Sequence, residues 1–203
     1  MNRVGIIAIV IVMVALLIGV AIFVGQQIFG GSSVPRTQTA AQKLLAKPTA
    51  TTEVRMAVRG PITAEEHYYE VNVAINDRSR SWRVHQGHAG HVVINRNLGN
   101  STAAFRDMMA VLNNQGFMNA RTTGLSTAGT CPNGQLIRFQ IYGGERQLDD
   151  LWMDSCNDEG TFAGDRSVIQ TILNQLPDGR STIDSAEAQI SGDTNSGINP
   201  FAL

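Results

Sequence analysis

The apolar run near the N-terminus constrains this chain more than any other feature. Residues Gly5 to Gly25 include no charged side chain and no polar stripe. With a rise of about 1.5 Å per residue, a helix of this length spans about 30 Å, which is the thickness of the hydrocarbon core of a bilayer. A buried helix of a water-soluble domain normally has one polar face. We therefore expect a transmembrane helix over residues 5–25 that contacts the lipid bilayer, after a short N-terminal tail of residues 1–4.

A cleaved secretory signal is the alternative interpretation of this run. Such signals have an apolar region of about 7 to 15 residues that ends in small residues. The apolar run here is longer, and Phe23-Val24-Gly25 matches a cleavage site poorly. An uncleaved signal anchor is therefore the preferred interpretation, and cleavage stays open.

Composition divides the rest of the chain into three regions. Residues 26–53 are rich in Ser, Thr, Ala and Gly, which predicts a flexible tether, with a brief helix over Ala40–Ala46 before Pro48. Residues 54–178 have periodic apolar positions and are enough for one hydrophobic core. Residues 179–203 contain few large apolar side chains, which predicts a disordered C-terminal tail.

The chain contains two cysteines, Cys131 and Cys156, and they lie on either side of a predicted β-hairpin. The alternating segment before Gly143-Gly144 and the segment after it form its two strands. Both cysteines then lie at the open end of the hairpin, within reach of a disulfide. Because disulfides persist outside the cytosol, we expect a bridged domain that is extracytoplasmic, on a single-pass protein of the cell membrane.

Two registers of this hairpin are open. If Gly143 and Gly144 are the two loop residues, Cys131 and Cys156 lie directly opposite each other. A wider loop, from Gly143 to Gln147, moves the cysteines out of direct opposition. It gives a more regular apolar face, on which Phe139 pairs with Leu151 and Ile137 pairs with Met153.

Alternation of apolar and polar residues predicts an antiparallel sheet before this hairpin. Strands are expected over Val54–Arg59, Tyr69–Ile75 and Arg80–His85, and Val92–Ile94 is a short fourth strand. Asn76 to Ser79 supply the turn between the second and third strands. Together with the hairpin strands, the sheet has about five or six strands.

Two segments have the apolar period of a helix. The first has Asn100 or Ser101 as its N-cap and ends at Gly116, and the second has Asp165 as its N-cap and ends at Pro177. The expected buried residues are Phe105, Met108, Met109 and Leu112 in the first helix, and Val168, Ile169, Ile172, Leu173 and Leu176 in the second. The order of strands, helix, hairpin and helix predicts an α+β fold, with two helices packed on one face of a mainly antiparallel sheet.

Three of the four histidines, His85, His88 and His91, are evenly spaced. Three imidazoles are a ligand set for Zn²⁺ at a catalytic site. The glycines between them indicate a loop, which does not fix a ligand geometry, so solvated histidines are the preferred interpretation. A metal-dependent hydrolase of the cell envelope that uses this loop is the alternative function, and the preferred function requires no cofactor.

Charge is distributed unevenly in residues 55–178. Nine arginines accompany five acidic residues in 55–140, whereas two arginines accompany eight acidic residues in 141–178. The candidate interaction residues are Arg78, Arg80 and Arg83 on the basic side and Asp149, Asp150 and Asp154 on the acidic side. Internal ion pairs such as Arg138 with Asp149 are the preferred interpretation of this charge distribution, and head-to-tail self-association through these residues is the alternative. A net charge of −1 makes nucleic acid an unsuitable partner.

The sequence has neither a Gly-x-Ser-x-Gly elbow nor a phosphate-binding loop. No catalytic residue is therefore assigned. We expect a non-enzymatic, membrane-anchored extracytoplasmic module that binds a protein or envelope partner, or acts in assembly, at the cell envelope.

Three segments carry a resemblance to a known group of proteins. They are Val54–Ile62, Cys131-Pro132-Asn133-Gly134 and Leu151–Cys156. With these segments, the chain resembles uncharacterised single-pass, membrane-anchored exported proteins of small-genome bacteria. The resemblance covers residues 54–178 and implies an anchor followed by a disulfide-bonded domain. It implies no activity and assigns no functional residue.

Overall fold

The structure, a computed structural model, describes residues 38–121, 127 and 131–177. The predicted transmembrane helix at residues 5–25 and the predicted tail at residues 179–203 lie outside these residues. Within the described ranges, none of the helices combines the length and the apolar character that crossing a membrane requires.

The described residues form a six-stranded antiparallel sheet and three helices. The strand order is β4-β3-β2-β1-β5-β6, and every neighbouring pair is antiparallel. Along the chain the elements are α1 (Ala40–Ala46), β1 (Thr52–Arg59), β2 (Tyr69–Asn76), β3 (Ser79–Gln86), β4 (His91–Gly99), α2 (Thr102–Asn114), β5 (Leu136–Gly143), β6 (Arg146–Asp154) and α3 (Ser167–Leu173). The α+β fold with a mainly antiparallel sheet is confirmed.

Strand β1 lies at the centre of the sheet because it pairs with β2 on one side and with β5 on the other. Val54, Met56 and Val58 are buried, and the residues between them face the opposite side of the sheet. This alternation is the pattern that the sequence displays, since successive side chains of a strand point to opposite faces.

The core lies between one face of the sheet and the helices. Helix α2 begins where Ser101 Oγ accepts a hydrogen bond from the Ala104 N–H at 3.1 Å, as the sequence predicts for an N-cap. Its four predicted apolar residues are buried, as are the five predicted in and after α3. In α3 the predicted N-cap is wrong by one position: the cap is Arg166, and the Asp165 carboxylate instead accepts the Ser167 N–H at 2.8 Å.

Helix α1 belongs to this core. Its N-terminus is a capping box between Thr39 and Gln42, and Ala41 and Leu45 are 1 % and 2 % exposed. Part of the segment predicted as a tether therefore packs against the core, as the brief helix that the sequence predicts over Ala40–Ala46.

The wider of the two hairpin registers is the observed one over most of β5 and β6. Phe139 pairs with Leu151 and Ile137 pairs with Met153, which keeps the apolar residues of both strands on one face. An irregularity after Ile141 shifts the last pairs, so that Gly143 pairs with Arg146 and the turn is tighter than the predicted loop. The register with Gly143 and Gly144 as loop residues is wrong.

Strand β4 is longer than predicted. The sequence predicts a strand over Val92–Ile94, whereas the structure extends it from His91 to Gly99. Most of its residues are exposed, because β4 lies at the end of the sheet. Only Ile94 and Leu98 are partly buried against the core, so the strand lacks the strict alternation from which its second half could be predicted.

Candidate functional site: the open face of the sheet

The sheet face opposite the core is the candidate functional site. In the part of the chain that the structure describes, the buried core residues of the helices pack against the other face. We call the outward face the open face. Its central residues are Glu53, Arg55 and Ala57 on β1, Asn72 and Ala74 on β2, Ser81, Arg83 and His85 on β3, and Gln140 on β5.

A shallow depression of about 380 Å³ lies at the centre of the open face. Ala74 of β2 pairs with Ser81 of β3 on one side and with Arg55 of β1 on the other. Ala57 lies two residues after Arg55 on β1 and faces the same side of the sheet. Three small side chains therefore form the floor, and long side chains stand around it. Arg55 and Arg83 are among the long side chains that line it.

Arg55 is held in place on one side of the depression. Its Nε lies 2.5 Å from Glu53 Oε1, and its guanidinium lies 4.1 Å from the ring centre of Tyr142. The guanidinium is thus both ion-paired and stacked on an aromatic ring, which reduces the number of conformations it adopts. Since the side chain is still 46 % exposed, it presents hydrogen-bond donors to solvent.

Arg83 lies across the depression from Arg55. Its Nε donates a hydrogen bond to Asn95 Oδ1 at 3.4 Å. Among the described residues, no carboxylate lies within ion-pair distance of Arg83. Its positive charge is therefore not neutralised by a carboxylate in this part of the chain, so Arg83 is able to bind a negatively charged or polar group.

The predicted basic group does not form one surface. Arg80 lies on the core side of β3, where its Nε donates to the Gly99 carbonyl at 3.1 Å and its Nη1 donates to the Gln175 carbonyl at 2.8 Å. Arg78 lies in the β2–β3 turn, with its Nε 3.8 Å from Asp77. Arg83 faces the open side. Alternation along a strand separates positions 80 and 83, so only Arg83 contributes to the candidate site.

The predicted acidic group is divided in the same way. Asp149 pairs with Ile141 on the core side, and Asp150 forms an ion pair with Arg138 on the open face. The predicted ion pair of Arg138 with Asp149 is therefore wrong, since Arg138 pairs with Asp150 instead. Asp154 is 1 % exposed, and its carboxylate accepts the N–H groups of residues 156 and 157 at 3.0 and 2.9 Å. These carboxylates are used within the chain and do not form a common acidic surface.

The structure does not bring the three histidines together as one set of ligands. His91 pairs with Gln86 and His85 pairs with Val92, so the two histidines occupy opposite faces of the sheet. His85 Nδ1 is 3.0 Å from the Gly90 carbonyl, and His88 is bonded through Nε2 to another backbone carbonyl at 3.2 Å. Within the described residues, no group of three or more His, Cys, Asp or Glu side chains is placed to hold a metal ion.

Glu65 holds the turn that contains His88. Its carboxylate accepts the His88 N–H at 3.0 Å and the Ala89 N–H at 3.4 Å. The hydrogen bond from the His88 backbone lowers the pKa of Glu65, and burial opposes this only in part. The same turn contains Gly87, whose φ of +73° favours glycine. Glu65 is therefore a structural residue that attaches the β3–β4 turn to the loop before β2.

The predicted disulfide is confirmed. Cys131 and Cys156 are bonded, with their Cα atoms 5.7 Å apart. The bridge forms although the two residues are not opposite each other in the ladder, because the chain turns back after Cys131, where φ is +49°. Near it, Leu136 and Trp152 are buried outside the main core, at one end of the sheet.

Sequence reasoning missed the residues that shape the depression, which are Arg55, Ala57, Ala74, Ser81 and Gln140. The pattern that could have identified them is small side chains at outward positions of neighbouring strands. Recognising it requires the register between β1, β2 and β3, because the floor residues come from three strands.

Comparison with known proteins assigns no family: no family model matches this chain, and no curated protein matches it.

Proposed function

We propose that this chain is a membrane-anchored, extracytoplasmic binding or assembly module of the cell envelope, without enzymatic activity, and that the open face is its binding surface. The observation that carries the proposal is the depression between Arg55 and Arg83, over a floor of small residues. Arg83 has no carboxylate partner among the described residues, and Arg55 is held in position by Glu53 and Tyr142. The ligand is polar or negatively charged.

Three points support the location. The apolar run at residues 5–25 has the length and composition of a membrane anchor. The disulfide between Cys131 and Cys156 suits an oxidising compartment. The resemblance to single-pass exported proteins of small-genome bacteria fits the same architecture. We therefore infer that residues 38–177 lie outside the cytoplasm.

The location is tested by thiol labelling of the full chain in intact cells with a membrane-impermeant maleimide. If the domain is extracytoplasmic, Cys131 and Cys156 react only after treatment with a reducing agent. If they stay unreactive until the cells are lysed, with or without reduction, the assignment to the outside is wrong.

The binding surface is tested by photo-crosslinking in cells that express the full chain. A photoreactive residue at Ser81 lies on the floor of the depression, and the same residue at Val111, which is 44 % exposed on α2, is the matched control. We expect adducts from Ser81 that become fewer when Arg83→Glu is added, and few from Val111. Equal adducts from both positions, or no effect of Arg83→Glu, would contradict the assignment.

A further inference from the structure

Acidic residues are absent from the N-terminal part of the sequence. All 17 of them lie at Glu53 or later, whereas residues 26–52, which follow the apolar run, contain Arg36, Lys43 and Lys47. These two lysines are also the only lysines of the chain. The segment next to the expected membrane anchor is therefore basic, although the net charge of the whole chain is −1.

Helix α1 carries both lysines on the surface of the folded domain. Ala41 and Leu45 attach the helix to the core, while Lys43 and Lys47 are exposed. Residues four apart are neighbours on the surface of a helix, so the two ammonium groups lie on one side of α1. Because α1 has 7 residues and is about 10 Å long, both lysines stay close to Gln38, the first described residue after the apolar run.

A groove of about 470 Å³ lies between the end of α1 and α2. Leu45, Pro48 and Ala110 are among the residues that give it apolar surface. Lys47 from one side and Arg106 from the other also line it. The groove therefore combines apolar surface with two positive charges.

These cations have no carboxylate partner in the part of the chain that the structure describes. No acidic side chain there lies within ion-pair distance of Lys43, Lys47 or Arg106. Asp107 is the one acidic residue of α1 and α2, and it does not line the groove. Consecutive residues of a helix do not face each other, so Asp107 points away from Arg106. Three positive charges are thus available to an anionic partner.

We propose that the groove and the two α1 lysines bind the phosphate headgroups of an anionic lipid bilayer. The side of the domain that carries the helices then rests on the membrane, and the open face points away from it. This inference rests on the membrane anchor of the proposed function, and it holds for either side of the membrane.

A lipid surface is the partner that the position of the groove favours. Twelve residues, 26–37, separate the apolar run from Gln38, and a chain of this length spans at most about 40 Å. An anchored domain is therefore held close to the headgroups, where even a weak contact with a few basic side chains is effective. Apolar surface beside the cations suits the boundary between headgroups and acyl chains.

Fluorescence quenching tests this orientation on the full chain reconstituted in lipid nanodiscs. Because Cys131 and Cys156 are bonded to each other, Ala110→Cys introduces one free thiol in the groove, which is labelled with a fluorophore. Ser81→Cys, labelled in the same way, is the matched control on the open face. The quencher is a nitroxide on a lipid headgroup, and the nanodiscs contain phosphatidylcholine with or without phosphatidylglycerol.

We expect quenching at Ala110→Cys to be several-fold stronger than at Ser81→Cys when phosphatidylglycerol is present, and similar at the two positions without it. High salt should remove the difference, because it screens the attraction between exposed charges. Adding Arg106→Glu should also remove it. Arg83→Glu, the same charge reversal on the open face, should not.

The outcomes separate this inference from the proposed function. Equal quenching at the two positions with phosphatidylglycerol present, the same difference without it, or equal effects of the two charge reversals would each overturn the docking, even if the chain co-purifies with the nanodiscs. A chain that does not co-purify with them would refute the anchor of the proposed function and the docking together.

Discussion

Removing the disulfide is expected to destabilise the folded domain by an amount that follows from its position. Cys131 and Cys156 are 25 residues apart in sequence. In the chain-entropy model, a closed loop of this length stabilises the fold by about 3.5 kcal/mol at 25 °C, since the bridge limits the conformations of the unfolded chain. This corresponds to a factor of about 300 in the unfolding equilibrium constant. The perturbation is the double variant Cys131→Ala/Cys156→Ala.

The assay is urea unfolding followed by tryptophan fluorescence. Trp82 and Trp152 are 3 % and 6 % exposed in the fold, so both become exposed to solvent on unfolding. The measurement uses a chain that begins at residue 38. The described core residues lie between Ala41 and Leu176, and without the apolar run the chain does not require detergent.

Reduction provides the control for this prediction. The wild-type chain in a reducing agent should lose about the same free energy of unfolding as the double variant, whereas the double variant should be insensitive to the reducing agent. A loss below about 1 kcal/mol would refute the argument, because it would mean that the bridge does not restrict the unfolded chain as the model requires. Equal sensitivity of the two proteins to the reducing agent would refute it as well.

Three further predictions concern the core, a helix cap and a pH-dependent contact. Phe139→Ala should lower the free energy of unfolding by about 3 to 5 kcal/mol, because the buried ring of Phe139 contacts two other phenylalanines. Val111→Ala, at an exposed position, should change it by less than about 0.5 kcal/mol. Similar losses of unfolding free energy for the two variants in urea would contradict this prediction. Ser101→Ala should cost about 1 kcal/mol in the same assay, and Ser101→Asn, which also caps, should cost much less. The pKa of Glu65 is lowered from its ordinary value of 4.5, so its contact with the His88 N–H should be complete above pH 4.5 and be lost as the pH falls through the lowered pKa. The amide resonance of His88 should report this titration in NMR spectra, and Glu65→Gln should abolish it; a midpoint above 4.5 would contradict the sign of the shift.

The elements of the fold were accessible from the sequence because they depend on local patterns. Alternation in β1, β2 and β3 and the helical period in α2 each mark a face that must be buried, and the structure buries those faces. The disulfide was also predictable, since the two cysteines lie at one end of a hairpin whichever register it adopts. Strand β4 is only partly predictable from the sequence, because just two of its residues, Ile94 and Leu98, are partly buried and the apolar pattern is weak.

The candidate site depended on information that a single strand does not contain. Arg80 and Arg83 are close in sequence, but their side chains point to opposite faces of the sheet. Arg80 donates a hydrogen bond to the Gln175 carbonyl just after α3, whereas Arg83 faces the open side. The histidines are evenly spaced in sequence, yet strand pairing puts His85 and His91 on opposite faces.

The apolar N-terminal run, the strands and helices with one buried face, and the pair of cysteines can be identified from the amino-acid sequence alone. Local periodicity and residue chemistry are sufficient for these features. The hairpin register, the inclusion of α1 in the core and the floor between Arg55 and Arg83 arise only in the folded molecule. These features depend on which residues of distant segments lie side by side, and that is set by the packing of the whole core rather than by any one segment.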